Sequence, residues 1–429
     1  MLGDMILEDR ERVLLVGVDT GEEADFERNM EELGELAKAC YMQVVGVITQ
    51  KLDQVNKALY VGSGKVQEIV ECAEKARAQL VIFDDALSPS QLRNLQDALQ
   101  LPVLDRTSLI LDIFSLRART KEAKLQVETA RLQYLLPRLI GMHDALSRQG
   151  GGSGSLSNKG SGEKKLELDR RKIEHRISEL RKELEEVSQE RQVQRKRRMN
   201  SRTPQVSLVG YTNAGKSTIM NRMVERYCDN QEKKVFEEDM LFATLETSVR
   251  NIETGDNKPF FLVDTVGFIH KLPHGLVKAF HSTLEEVKYA DLLLQIIDFS
   301  DPQYRQHMEV TKDTLSQLGA GDIPMIYVYN KSDRTETAYP KVVDNHVYLS
   351  AAEGKGLDEL INLIKEQIYA DNINCSLLIP YSEGNVVSYF MENATVLQQE
   401  YREDGVRLEV NCYKQDAEKY AKYVKQMEE

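Results

Sequence analysis

The sequence predicts a multidomain α/β protein: an N-terminal α/β domain with an antiparallel helical hairpin, a central phosphate-loop domain, and a small α/β C-terminal domain. Three observations carry this. Short apolar runs of strand length alternate with helical stretches in the N-terminal part and again after residue 203. Two seams of leucine and isoleucine at helical spacing lie between them. A glycine-rich loop ending in lysine and serine joins one apolar run to a helix. At 429 residues the chain has room for two to four separate cores.

In the first domain (residues 1–110), strand runs at residues 12–18, 44–48 and 80–83 alternate with helical patterns at 24–40 and 88–99, which implies a parallel sheet. Within it Gly62-Ser63-Gly64-Lys65-Val66 imitates a phosphate loop, but Leu59 stands where the first glycine belongs and Val66 where a hydroxyl belongs. The pattern favours a structural turn into a helix, with a second nucleotide or anion site as the other reading.

Residues 111–202 read as the hairpin. One long helix over 115–143 presents Leu125, Leu132, Leu136 and Leu139, and a second presents Leu166, Ile173, Ile177, Leu180, Leu184 and Val187. The Gly/Ser-rich tip, residues 150–162, is too poor in apolar residues to pack; it is either a linker or a loop suited to insertion into a partner. The chain carries a formal net charge of −13, which argues against general nucleic-acid binding. The second helix runs the other way: residues 164–202 hold fourteen Lys/Arg against eight Asp/Glu, ending in Arg191, Arg195, Lys196, Arg197, Arg198 and Arg202. Arg117, Arg119, Lys121, Lys124, Arg131 and Arg138 add positive charge to the first helix, where a solvated face is an equal reading. Four adjacent cations at 195–198 repel unless an anion neutralises them, so this cluster favours phosphate contact.

The third region, residues 203–371, carries the chemistry. Gly210-Tyr211-Thr212-Asn213-Ala214-Gly215-Lys216-Ser217-Thr218 follows a strand run and opens a helix. In that context loop N–H groups turn toward a polyphosphate, Lys216 meets the terminal phosphates and the Ser217 hydroxyl can hold Mg2+. Phe260-Phe261-Leu262-Val263 ends in Asp264-Thr265-Val266-Gly267. Asp264 would reach the metal from a strand end, and the N–H of Gly267 can approach a γ-phosphate. Between them, Thr244 in Leu241-Phe242-Ala243-Thr244-Leu245 would complete the metal's coordination only with the γ-phosphate bound. Asn330-Lys331-Ser332-Asp333 follows a further strand, and its carboxylate suits the N1–H and N2–H2 of guanine, donors that adenine lacks as a pair. Ser350-Ala351-Ala352 would bring backbone N–H groups to the guanine O6. These segments specify GTP over ATP and a P-loop GTPase domain, with Lys216, Thr244 and Gly267 as the catalytic candidates and Ser217, Thr244 and Asp264 as the metal ligands.

Many signalling GTPases orient the attacking water with a glutamine after the aspartate-to-glycine motif; here Phe268 and Ile269 follow it. Hydrolysis is expected to be slow in isolation, at or below about 10⁻⁴ to 10⁻³ s⁻¹, until another group positions the water. Asn213 has two readings: a loop residue satisfying backbone donors, or a ligand of a K+ ion against the phosphates. Residues 372–429 read as a small α/β domain with a closing helix.

Cys40, Cys72, Cys228, Cys375 and Cys412 are scattered with no metal spacing, so free thiols and no zinc are expected. No apolar run approaches a membrane span and the start lacks signal-peptide character, so a cytoplasmic protein is expected.

Taken together the phosphate loop, Phe242-Ala243-Thr244-Leu245, Asp264-Thr265-Val266-Gly267-Phe268-Ile269 and Leu272-Pro273-His274 resemble the HflX family of ribosome-associated GTPases. The resemblance extends through Gly62-Ser63-Gly64-Lys65-Val66, Leu87-Ser88-Pro89-Ser90-Gln91, Asp105-Arg106-Thr107, Arg117-Ala118-Arg119-Thr120 and Ser147-Arg148-Gln149-Gly150-Gly151-Gly152, covering nearly the whole chain. The chain departs from the family pattern in the hairpin loop at residues 159–164 and at Glu246-Thr247-Ser248, where an aspartate and a proline are common. The resemblance implies a monomeric GTPase that binds the large ribosomal subunit and its ribosomal RNA, splits stalled ribosomes, and is stimulated by the ribosome. Two other functions fit the residues: an RNA-binding or assembly factor in which GTP is structural, and an NTP-driven RNA-remodelling enzyme using the N-terminal domain.

Overall fold

The computed structural model describes residues 10–21, 25–149, 159–199, 202–227, 241–242, 245, 247–269, 271 and 285–428, with side chains for all of these except 139–149, 159–166, 190–199, 285 and 426–428. The chain divides into two compact units: residues 1–194 with 238–246 and 271–282, and residues 195–237 with 247–270 and 283–429.

In the first unit β1 (Arg12–Asp19), β2 (Gln43–Lys51), β3 (Leu80–Phe83) and β4 (Val103–Asp105) form a four-stranded sheet in the order β2-β1-β3-β4, parallel throughout. The crossovers are α1 (Phe26–Ala39), α2 (Ser63–Ala76) and α3 (Pro89–Leu99). Ser88 caps α3 in a reciprocal box with Gln91, which is why the helix starts at Pro89. A fourth helix, α4 (Arg106–Arg117), is buried on nearly every side, and α5 (Lys121–Gln149) follows it.

The single helix expected over 115–143 is therefore interrupted. Ala118 takes an extended conformation, and Thr120 restarts the helix by accepting from Ala123 N at 3.2 Å. The second hairpin helix, α6 (Lys159–Met199), begins inside the expected tip: residues 159–162 are helical despite two glycines. Each glycine costs about 1 kcal/mol against alanine, but extending an existing long helix avoids a new nucleus. The hairpin pairing is seen in Arg176, whose guanidinium donates to both carboxylate oxygens of Glu128 at 2.9 and 3.3 Å, and in the buried Ile177 and Leu180. Residues 150–158 of the tip lie outside the described residues.

One carboxylate joins three parts of this unit. Asp105 accepts from Ser108 N (2.9 Å), Leu87 N (3.0 Å), Arg138 Nη2 (2.7 Å) and the Tyr134 hydroxyl. Next to it, Arg106 pairs with Asp84 at 2.8 Å and with Glu32.

In the second unit β5 (Gln205–Gly210), β6 (Ser248–Ile252), β7 (Phe260–Asp264), β8 (Leu292–Asp298), β9 (Met325–Asn330), β10 (Lys341–Val343) and β11 (His346–Tyr348) form a sheet ordered β10-β11-β9-β8-β5-β7-β6. It is parallel except for the two edge strands. Alternate residues Val206, Leu208, Leu294, Ile296, Ile326 and Val328 meet α7 (Lys216–Tyr227) and α9 (Leu357–Ile368) in one core. Gln295 points to the opposite face and donates to Met308 O of α8 (Tyr304–Gln317) at 3.2 Å. The strands' carboxyl ends thus present the loops that the sequence singles out.

The C-terminal part runs β12 (Asn372–Ile379), α10 (Gly384–Asn393), β13 (Thr395–Arg402), β14 (Gly405–Tyr413), α11 (Lys414–Lys419) and β15 (Val424–Glu428). This is a split β-α-β-β-α-β arrangement in antiparallel order β13-β14-β12-β15. The expected closing helix is short, and the chain returns as a strand against β12, filling the sheet edge. The described cysteines, Cys40, Cys72, Cys375 and Cys412, are free thiols. Among the described residues no helix is long and apolar enough to cross a membrane.

Asp105→Ala leaves the largely buried Arg138 without its carboxylate. The expected cost is about 3–5 kcal/mol, read as a lower urea midpoint with accelerated hydrogen exchange in the α5 amides.

Candidate nucleotide site

The phosphate loop is the five-residue turn between β5 and α7. Ile219 N donates to Gly215 O at 3.0 Å, so the helix's hydrogen bonding begins on the loop itself. Asn213 adopts a left-handed conformation (φ 58°) with its side chain exposed. Gly215 (φ 95°) can be nothing else: a Cβ there would lie 2.2 Å from Asn330 Nδ2. Lys216 is buried at the loop's centre and donates to Gly210 O (3.1 Å) and Tyr211 O (2.7 Å). Burial pulls its pKa down to about 8, with Asp264 acting in the opposite direction.

Ser217 Oγ donates to Asp264 Oδ2 at 2.9 Å, and the Asp264 carboxylate is fully buried. A hydroxyl and a carboxylate held together at a helix start form the hard-oxygen donor pair that Mg2+ accepts, so the residues present fit that ion. Next to it Thr265 Oγ1 donates to Leu208 O at 2.6 Å, fixing the strand end.

The following segment lies directly on the loop. Phe268 N donates to Gly210 O at 3.1 Å and Thr212 N donates to Phe268 O at 2.7 Å, a parallel bridge centred on Tyr211. A Cβ on Gly267 would lie 2.8 Å from Thr212 Cα and 2.9 Å from Lys216 Nζ, so only glycine fits against the loop. The Phe268 ring is buried, and both its peptide groups are occupied by the loop.

On the far side Asn330 is the hub. Its Nδ2 donates to Ala214 O at 2.9 Å, and its Oδ1 accepts from Ala351 N at 3.0 Å. Lys331 (φ 60°) reaches Asp298 at 2.8 Å, Ser332 is buried with its hydroxyl on Tyr329 O, and Asp333 is exposed. Ser350 and Lys355 exchange backbone bonds at 3.1 Å, closing the turn after Ala351 and Ala352.

The structure therefore brings together residues 210–218, 264–268, 330–332 and 350–352. The described members of the remaining segment, Leu241, Phe242 and Leu245, are buried and counted in the first unit, where the Phe242 ring packs edge-on to Phe114 at 4.8 Å. Ala243, Thr244 and Leu272-Pro273-His274 lie outside the described residues. Sequence reasoning missed Arg222, which donates from α7 to Ala351 O (3.2 Å) and Ala352 O (2.9 Å) and steadies that turn. Nothing marks it in the sequence beyond its position two turns into α7.

Gly62 starts α2, with its N–H on Gln50 Oε1 at 2.9 Å, and Lys65 pairs with Glu68 at 2.6 Å. Of the first hairpin helix's cations, Arg117 donates to Tyr41 Oη (3.1 Å), Arg131 faces Asp112 (3.7 Å) and Arg138 holds Asp105, so at least half of that positive set is engaged internally. Arg191 and residues 195–198 lie in α6, with their side chains outside those described. Arg202 pairs with Asp416 at 2.9 Å.

Residues 27–115 match the family model described as GTP-binding GTPase N-terminal and 117–198 the GTP-binding GTPase middle region. Residues 205–331 match 50S ribosome-binding GTPase, and 338–428 the HflX C-terminal domain. The chain is 44% identical over 406 residues to GTPase HflX of Caldanaerobacter subterraneus subsp. tengcongensis, covering 94% of this chain and 92% of that one. The chain belongs to the HflX family of GTPases. It is 39% identical over 401 residues to GTPase HflX of Escherichia coli strain K12, covering 92% of each. Among solved structures, a GTP-binding protein from Sulfolobus solfataricus in complex with GDP is 24% identical, with a TM-score of 0.45, over 84% of this chain and 99% of that one. As an HflX-family GTPase the chain binds and hydrolyses GTP.

The Lys216 pKa has a measurable consequence. A bound polyphosphate holds the lysine protonated, whereas the free protein loses that proton above pH 8, so the bound state carries more protons and affinity falls as pH rises. GDP is expected to bind several-fold more weakly at pH 8.5 than at pH 7, with net proton uptake on binding; calorimetry in two buffers of different ionisation enthalpy reads both. Gly267→Ala is expected to lower single-turnover GTP hydrolysis on the order of 100-fold by displacing Lys216 or the loop.

Proposed function

We propose that this GTPase is a nucleotide-controlled switch that associates with the large ribosomal subunit, splits stalled or idle ribosomes, and hydrolyses GTP faster when bound to that subunit. The observation that carries the reading is the match of residues 205–331 to a 50S ribosome-binding GTPase model within a chain related end to end to HflX GTPases. The charge pattern supports it: a chain of net charge −13 concentrates fourteen Lys/Arg in residues 164–202, which suits the phosphates of ribosomal RNA. In this reading residues 1–110 and the hairpin of 111–202 face RNA, 203–371 reads the nucleotide, and 372–429 braces it. The protein works as a cytoplasmic monomer.

In hydrolysis a water oxygen attacks the γ-phosphorus, the bond to the β,γ-bridging oxygen breaks, and GDP leaves with the charge. Lys216 leaves the carbonyls of Gly210 and Tyr211 to neutralise the terminal phosphates. Ser217 and Asp264, together with Thr244, would hold Mg2+, which would supply charge neutralisation there. Asp333 selects guanine, with Ser350, Ala351 and Ala352 at its O6. Gly267 presents its N–H to the γ-phosphate, so GTP and GDP produce different switch conformations. No side chain at Phe268 can orient the water, and its peptide groups are already spent on the loop. The ribosome therefore has to complete the reaction centre, and K+ held at Asn213 would assist it.

The test is GTP turnover at physiological salt with and without large subunits. Stimulation of about 10³-fold or more is expected, lost in both Lys216→Ala and Arg195/Arg197/Arg198→Glu. Equal turnover with and without subunits overturns the ribosomal reading, and equal turnover in sodium and potassium salts overturns the role of Asn213.

A further inference from the structure

His307 lies in the first turn of α8, outside every nucleotide-binding motif. Its imidazole rests flat on the Tyr211 ring, with centroids 3.9 Å apart and planes 10° from parallel. The stack is a built contact. Tyr211 is only 7% exposed, and the His307 backbone is fixed by His307 N to Gln303 O (3.2 Å) and Thr311 Oγ1 to His307 O (2.8 Å). Asp301 Oδ2 lies 4.0 Å from His307 Nδ1.

What the stack holds is the second residue of the phosphate loop. Tyr211 O accepts from Lys216, and the peptides on either side of Tyr211 make the two bonds to Phe268. Gly267 is placed by that bridge against Thr212 and Lys216. An anchored ring holds the Tyr211 Cα and Cβ in place and so restrains the backbone torsions that aim both bridging peptides at Phe268. The loop residues from Asn213 onward, whose N–H groups cradle a polyphosphate, are braced separately through Asn330.

We propose that His307 is a positioning residue for GTP hydrolysis. By stacking on Tyr211 it fixes the Gly210/Thr212 bridge to Phe268, and with it the Gly267 N–H that meets the γ-phosphate. It touches no substrate atom. The consequence is a split: loss of the stack slows the chemical step and leaves ground-state nucleotide binding intact.

The experiment uses the full chain without ribosomes, comparing kcat and KM for GTP, GDP affinity and Tm in His307→Ala, His307→Phe, Tyr211→Ala and the His307→Ala/Tyr211→Ala double variant. An aromatic stack of this kind corresponds to a rate change of about 2- to 10-fold. His307→Ala is expected to lose that much in kcat with GDP affinity changed by less than about two-fold, and His307→Phe to recover it. The double variant is expected to be no slower than Tyr211→Ala alone. The proposal is overturned if His307→Ala keeps its kcat, if His307→Phe is as slow as His307→Ala, or if the two losses multiply. A fall in Tm with kcat unchanged would mark the stack as packing alone and overturn it equally.

Discussion

Two main-chain hydrogen bonds, Phe268 N to Gly210 O and Thr212 N to Phe268 O, are the constraint on which the nucleotide site depends. They tie the phosphate loop to the segment that meets the γ-phosphate without using a side chain. Because the bonds are backbone, the intervening side chains are free to be chosen for packing: glycine at 267 to allow contact, phenylalanine at 268 to fill the core. The same choice removes the group that would orient water. On the proposed reading, slow hydrolysis in isolation would follow from a switch segment whose peptides and ring are already committed.

Around that bridge, charge is stored in buried groups that wait for a ligand. Lys216 sits on two carbonyls, which solvate an ammonium less well than water or phosphate does, and its lowered pKa records the deficit. Ser217 donates to the buried Asp264 carboxylate. In the proposed mode of binding, a polyphosphate with its cation would satisfy both at once. Asn330 couples this end to the guanine end, since one amide bonds both Ala214 and Ala351. The base and phosphate halves are therefore one hydrogen-bonded body.

Much of this was legible in the sequence, for a physical reason. Phosphate loops and guanine loops need particular residues at fixed offsets, so Gly210–Thr218 and Asp264–Gly267 announce themselves. β1 and β3 were equally visible because buried strands read as unbroken apolar runs, whereas the three-residue β4 is too short to give one. Three features were not. The restart of the helix at Thr120 depends on one hydroxyl cap, a signal common in helix interiors. The extension of α6 back to Lys159 runs against the glycines that mark a loop. Arg222 and His307 act across distances in sequence of 129 and more residues or through ring stacking, which no local pattern encodes. Arg138 shows the opposite error: it reads as surface charge and is a partner of Asp105.

The most direct test of the central claim is residue-resolved amide hydrogen exchange at Thr212 and Phe268 in the nucleotide-free and GDP-bound protein. If the phosphate loop and switch segment are one backbone-bonded unit, both amides are protected in both states and exchange through a common opening, at matching rates. Fast exchange at Phe268 beside a protected Thr212 would show that the bridge does not hold them together and would contradict the account.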